Sequence, residues 1–172
     1  MAGFVEPGPT QEDRMSNIVP RPLLGLCLAA AAAIAMPGIA NAGGCPAGKQ
    51  VADAMKPVDY AAKGVTDTVL ASIDLAQEPS KIADRKLRLR KLVIQPSGIV
   101  PWHSHGDRPA IIYIIQGEVT EYASNCSVPL VHKAGDVTAE THGTSHWWKN
   151  TGSTTVVLLS ADLLHDESDH NM

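Results

Sequence analysis

Runs of β-branched and aliphatic residues, cut at short intervals by glycine- and proline-bearing turns, constrain this 172-residue chain more than any other feature. "KLRLRKLVI" (residues 86–94) alternates charged and apolar side chains, the period of a strand with one buried face. "AIIYIIQGEVTEY" (110–122) is β-branched and aromatic, and Gly117 breaks it into two predicted strands. "TTVVLLSADLL" (154–164) supplies a closing strand, and "TVLASIDL" (68–75) alternates more weakly. "QPSG" (95–98), "KAGDV" (133–137) and "NTGST" (150–154) read as turns. The domain carries almost no 3.6-residue period, so the expected class is all-β, an antiparallel double sheet or barrel.

The ends of the chain depart from this pattern. Leu23–Met36, "LLGLCLAAAAAIAM", is apolar and preceded by Arg21, and "IANA" (39–42) puts Ala40 and Ala42 at the small positions of a signal-peptidase site. That run of 14 residues falls short of the roughly 20 that a membrane-spanning helix needs. The order of charge, apolar run and small residues predicts a Sec-type signal starting at Met15, within an N-terminal segment 1–42 removed after Ala42. The rest of the chain is expected to comprise an irregular arm (43–66), a domain (67–164) and a polar tail (165–172). The product would be periplasmic or secreted, with no stable membrane association after cleavage. Of three cysteines, Cys27 leaves with the signal, so Cys45 and Cys126 form a candidate disulfide in an oxidising compartment. A net charge of −4 with no basic stripe argues against a nucleic-acid partner.

The chemistry lies in the histidines, of which there are seven: His103, His105, His132, His142, His146, His165 and His170. His103 and His105 stand at i and i+2, so on extended backbone both rings leave one face and can converge on an ion at about 2.0–2.1 Å. Downstream, "GDVTAETHGTSHWWKN" (135–150) carries His142 and His146. His132 reads as a surface-strand residue, and His165 and His170 as part of the solvated tail.

Gly98…His103-x-His105…Gly117, followed by Gly135…Gly143-x-x-His146-x-x-x-Asn150, resembles the two signature motifs of the cupins over roughly residues 84–161. The resemblance implies a small jelly-roll β-barrel. It also implies one divalent transition-metal ion (iron, manganese, zinc or copper) held inside by His103, His105 and His146. Cupins usually add a glutamate a few residues after the second histidine; the matching position here is Ala110, which cannot coordinate. Thr141 replaces a family proline, and the first glycine-to-histidine spacing is one residue shorter than usual. Three neutral imidazoles without that glutamate would leave the ion its full +2 charge and strengthen its pull on anionic ligands. Asp107 and Glu140 are the other carboxylates to consider. Asp107 reads as a surface pair with Arg108, while Glu140 faces the site only if its strand has suitable parity.

Alternation also nominates a pocket. Ala110, Ile112, Ile114 and Gln116 should point inward and Tyr113 outward, while Trp148 shares the face of His146 and Trp147 points away. His142 and Glu140 are the candidate acid–base groups. The functional expectation is an exported, metal-dependent enzyme acting on a small organic acid, phenol or thiol by dioxygenase-like oxidoreductase chemistry. A redox-neutral lyase, isomerase or decarboxylase is an alternative, as is a non-enzymatic binder of metal or small ligand. A homodimer through exposed strands is a further option.

Overall fold

The computed structural model describes residues 44–165; the predicted signal segment and the tail beyond His165 lie outside them. Eight strands occur in chain order: β1 (Lys63–Asp74), β2 (Lys86–Ser104), β3 (Ala110–Gln116), β4 (Glu118–Ala123), β5 (Leu130–Lys133), β6 (Val137–Glu140), β7 (Ser145–Lys149) and β8 (Val156–Leu164). Every pairing is antiparallel. No helix occurs among the described residues. The class is all-β, a double-sheet barrel of jelly-roll type.

One long strand joins the two layers. The first half of β2, Lys86–Ile94, pairs with β1 on one side and β8 on the other, and β3 and β6 extend that layer. Its second half, Ile99–Ser104, pairs instead with β7, which continues to β4 and β5. The chain crosses between layers again at Gly117. That residue has φ +83°, and a Cβ there would sit 2.9 Å from the Thr155 carbonyl oxygen, so both conformation and space call for glycine.

Three sequence expectations need correction. "QPSG" does not reverse the chain; β2 runs through it as a bulge, since Ile94 and Ile99 pair with Val65 and Lys63, only two residues apart. The bulge turns β2 from one layer to the other, and buried Asn150 fastens it. Its Nδ2 donates to the carbonyls of Ile94 and Thr154 at 3.0 and 2.8 Å, and its backbone bonds Ser97 and Gly98. Second, β1 begins at Lys63, inside the stretch read as arm, because pairing with β2 supplies hydrogen bonds that the weak apolar pattern does not advertise. Third, β3 has a register shift between Ile114 and Gln116, which breaks its alternation. Gln116 is exposed and its amide donates to the Thr155 carbonyl, so it is not a pocket residue.

Between the layers Leu92, Ile94, Ile112, Ile114, Val119, Val156, Leu158 and Trp148 form the core. β8 alternates buried and half-buried positions without a break. Burying each such aliphatic side chain contributes about 1.5–3 kcal/mol. Along the layer formed by β2, β8, β3 and β6, polarity rises in steps. Leu92, Leu158 and Ile114 give way to the row Arg90, Ser160, Ile112 and Thr138, and then to Arg88, Asp162, Ala110 and Glu140. The apolar rows hold the barrel together, and the polar rows set the electrostatics of its interior.

The arm is fastened as well. Cys45 and Cys126 form a disulfide, Cα–Cα 5.5 Å, across a sequence separation of 81. Backbone bonds Val51 N→Asn125 O and Ala54 N→Ser124 O run alongside it. A crosslink over so long a loop removes much unfolded-state entropy. Replacing both cysteines with serine should therefore lower unfolding stability by about 2–4 kcal/mol, read from the urea midpoint; an unchanged midpoint would contradict it.

Candidate metal site

β2 and β7 bring the histidines together. His103 and His146 are cross-strand partners, and His105 lies just past the end of β2. Their Nε2 atoms form a triangle with sides of 3.0, 3.0 and 3.1 Å, and all three residues are buried. An ion at the roughly 2.0–2.1 Å usual for metal–imidazole bonds reaches all three nitrogens at once.

The other ring nitrogens decide what those three atoms carry. Nδ1 of His103 donates to the Pro101 carbonyl at 2.9 Å, and Nδ1 of His105 to the Arg108 carbonyl at 2.8 Å. Nδ1 of His146 donates to Glu121 Oε1 at 2.6 Å. Each partner is an acceptor, so each proton of the neutral rings sits on Nδ1 and three Nε2 lone pairs face one another. Such a convergence is repulsive without a cation, and the donor set fits a transition-metal ion. Trp148 Nε1 also lies 3.1 Å from His146 Nδ1, but a protonated nitrogen cannot accept, and the buried carboxylate fixes the proton there.

The titration shifts arise from the same contacts. Burial, then the charge of His146, holds His103 well below the ordinary histidine value, and the same two causes bring His105 to about 4. Burial also opposes charge on His146, but the hydrogen bond and charge of Glu121 outweigh it and raise its pKa.

Glu121 is the functional residue that sequence reasoning missed. It is 2 % exposed on β4, and its second oxygen accepts from His132 Nε2 at 2.7 Å. Burial would raise its pKa, yet the bonds from His132 and His146 prevail and lower it to about 2. A buried carboxylate one hydrogen bond behind a ligand nitrogen orients the ring and makes it more basic. Glu121 would offset part of the charge of an ion held by His146. His132, read as a surface residue, is fully buried and stacks on Trp148 at a centroid distance of 4.8 Å. The signal was available, because Glu121 has the parity of Val119 and Ala123, and His132 that of Leu130.

The remaining candidates divide. Glu140 is buried, accepts from Thr138 Oγ1 at 2.9 Å, and lies 3.5 Å from His146 Nδ1; burial raises its pKa. It is the direct cross-strand partner of Ala110, so a carboxylate stands one strand away from the position where cupins carry theirs. Its contact is with the Nδ1 side of His146, away from the Nε2 triangle. His142 is exposed and donates Nδ1 to the Gly106 carbonyl, apart from the site. Asp107 pairs with Arg85 and His165, and Arg108 is buried.

The three rings border a narrow chamber. Leu92, Val100, Ile112, Leu158 and Trp148 form apolar walls, and Arg90 and Ser160 are the polar groups besides the histidines. Of the nominated pocket residues, Ile112 and Trp148 line this chamber, Ile114 belongs to the core beside it, and Ala110 borders a separate groove. Tyr113 is exposed, and Trp147 stacks outside on Tyr122 at 4.2 Å.

The family model described as "Cupin domain" matches residues 90–162, the stretch that holds all three rings. That stretch is a cupin domain. No curated protein matches its sequence. Among solved structures, the cupin fold here is similar to a Klebsiella pneumoniae protein with a double-stranded β-helix domain, at TM-score 0.49 and 17% identity over 64% of this chain and 84% of that one. It is similar to the Schizosaccharomyces pombe Cnp3 cupin domain at TM-score 0.46 and 16% identity, covering 60% of this chain and 66% of that one. An oxalate oxidase in complex with the substrate analogue glycolate matches at TM-score 0.46 and 21% identity, over 60% of this chain; the chain spans about half of that protein, 52%.

Glu121→Gln removes the acceptor that keeps the proton on His146 Nδ1, and should weaken zinc affinity about 10–100-fold, read by competition with a chelator; unchanged affinity would contradict this role. The His105 pKa is about 4 in the folded protein against 6.5 unfolded, so between those values the unfolded chain binds more protons. Its contribution to metal-free stability is full above about pH 6.5 and falls as pH drops towards about 4. Thermal melts should show wild type losing on the order of 2 kcal/mol more than His105→Ala across that window; parallel losses would contradict it.

Proposed function

We propose that this cupin is an exported metal-dependent enzyme acting on a small molecule by dioxygenase-like oxidoreductase chemistry at a mononuclear three-histidine centre. The observation that carries the reading is the convergence of three Nε2 atoms on the edge of a narrow, mostly apolar chamber. His103, His105 and His146 would hold the ion, with Glu121 orienting His146. When bound, the ion supplies Lewis-acid polarisation and, if it is iron, manganese or copper, electron transfer.

The chain's own residues bind, orient and exclude water. The polar groups of the chamber lining are the three imidazoles, Arg90 and Ser160, and this reading assigns the chemistry to the ion. Glu140, which accepts from Thr138 Oγ1, stands 3.5 Å from His146 Nδ1 on the side of that ring away from the triangle. Export is supported by the apolar run with its small-residue site and by the Cys45–Cys126 disulfide, a bond of oxidising compartments.

Oxygen uptake by protein loaded separately with iron, manganese, copper or zinc, against phenols, thiols and keto acids, tests the activity. The expected result is substrate-dependent uptake with a redox-active metal and none with zinc. Turnover by the zinc form without oxygen uptake would replace this reading with a redox-neutral one, and binding without turnover would replace it with a ligand carrier. Cell fractionation and intact mass should find a chain lacking residues 1–42 outside the cytoplasm; a full-length cytoplasmic chain would contradict export.

A further inference from the structure

The chamber lining includes two polar side chains that the metal reading does not use, Arg90 and Ser160. Arg90, on β2, is 4 % exposed and lines the chamber. Its Nη1 bonds Asp67 at 2.5 Å, and its Nη2 reaches Ser160 Oγ at 3.4 Å and Asp162 Oδ2 at 3.2 Å. The guanidinium is thus held in place by strands on either side of it. Among the described residues no acceptor reaches its Nε, a buried N–H with nowhere to donate. Ser160 sits directly across the register from Arg90, and accepting from Nη2 leaves its hydroxyl proton free to donate.

We propose that Arg90 Nε–H and Ser160 O–H form an anchor for one carboxylate group, so that the chamber takes a small carboxylate reaching towards the three-histidine face. A fixed guanidinium edge suits a planar oxyanion better than a neutral amide of the same shape. The apolar side chains of the lining favour a short carbon skeleton and leave a second charged group on the ligand without a partner except at the metal. The proposal rests on the metal reading for the ligand's far end, but the anchor stands on Arg90 and Ser160 alone.

Acetate and its neutral counterpart acetamide are the probes, added to ¹⁵N-arginine-labelled protein in metal-free and zinc-loaded forms. Acetate is expected to shift the Arg90 Nε–H resonance and to bind at least tenfold more tightly than acetamide. Arg90→Lys keeps a cation beside Asp67 and Asp162 but removes Nε, and should weaken acetate at least tenfold with zinc content unchanged. An unmoved resonance in both forms, or equal acetate binding by Arg90→Lys, would overturn the anchor. Acetate bound by the zinc form without a shift at Arg90 would overturn it while leaving the metal reading intact. A shift at Arg90 in protein that takes up no zinc would support the anchor and sink the metal reading. Should Arg90→Lys fail to fold, the wild-type resonance still decides.

Discussion

The hydrogen bond between His146 Nδ1 and Glu121 Oε1, 2.6 Å long and buried, is the contact on which the centre depends. It sets the tautomer of the one ligand candidate that comes from the second motif. The backbone carbonyls of Pro101 and Arg108 set the other two. With three protons committed outward, three lone pairs meet inside, and the arrangement is favourable only around a positive charge. Remove the carboxylate and His146 is free to turn its lone pair the other way.

This bond also bears on the missing glutamate. Ala110 lies in a row with Arg88, Asp162 and Glu140, so its small side chain separates two acids rather than opening an empty space. Asp162 is engaged by Arg88 and Arg90, while Glu140 leans towards His146. The negative charge that a ligand at position 110 would bring is supplied at one remove, through the back of His146. A third carboxylate in that row would face two others already buried there.

Architecture makes the meeting possible. Two interruptions, the Gln95–Gly98 bulge and the Gly117 crossing, carry the chain between layers, and Asn150 ties the first of them to the end of β7. Much of this was legible in the sequence. Alternation located β3, the split at Gly117 and β8, and the HxH pair with His146 lies where the strands bring it together. The errors have physical causes. A Pro-Ser-Gly segment serves a bulge as well as a turn, and only the partner strand distinguishes them. Gln116 left the inward face because one bulged residue inverts everything after it. Glu121 and His132 were overlooked because a charged residue in a strand reads as solvent-facing, although their parity with Val119, Ala123 and Leu130 pointed inward. The burial of Glu121 is tolerable because His132 and His146 each donate to one of its oxygens.

The central claim is that His103, His105 and His146 hold one divalent ion. Metal content per folded chain, measured on wild-type protein and on His146→Ala after identical purification and reconstitution, tests it most directly. Close to one equivalent is predicted in the wild type and a small fraction of that in the variant. A wild type that takes up no metal, or a variant that retains the full equivalent, would contradict it.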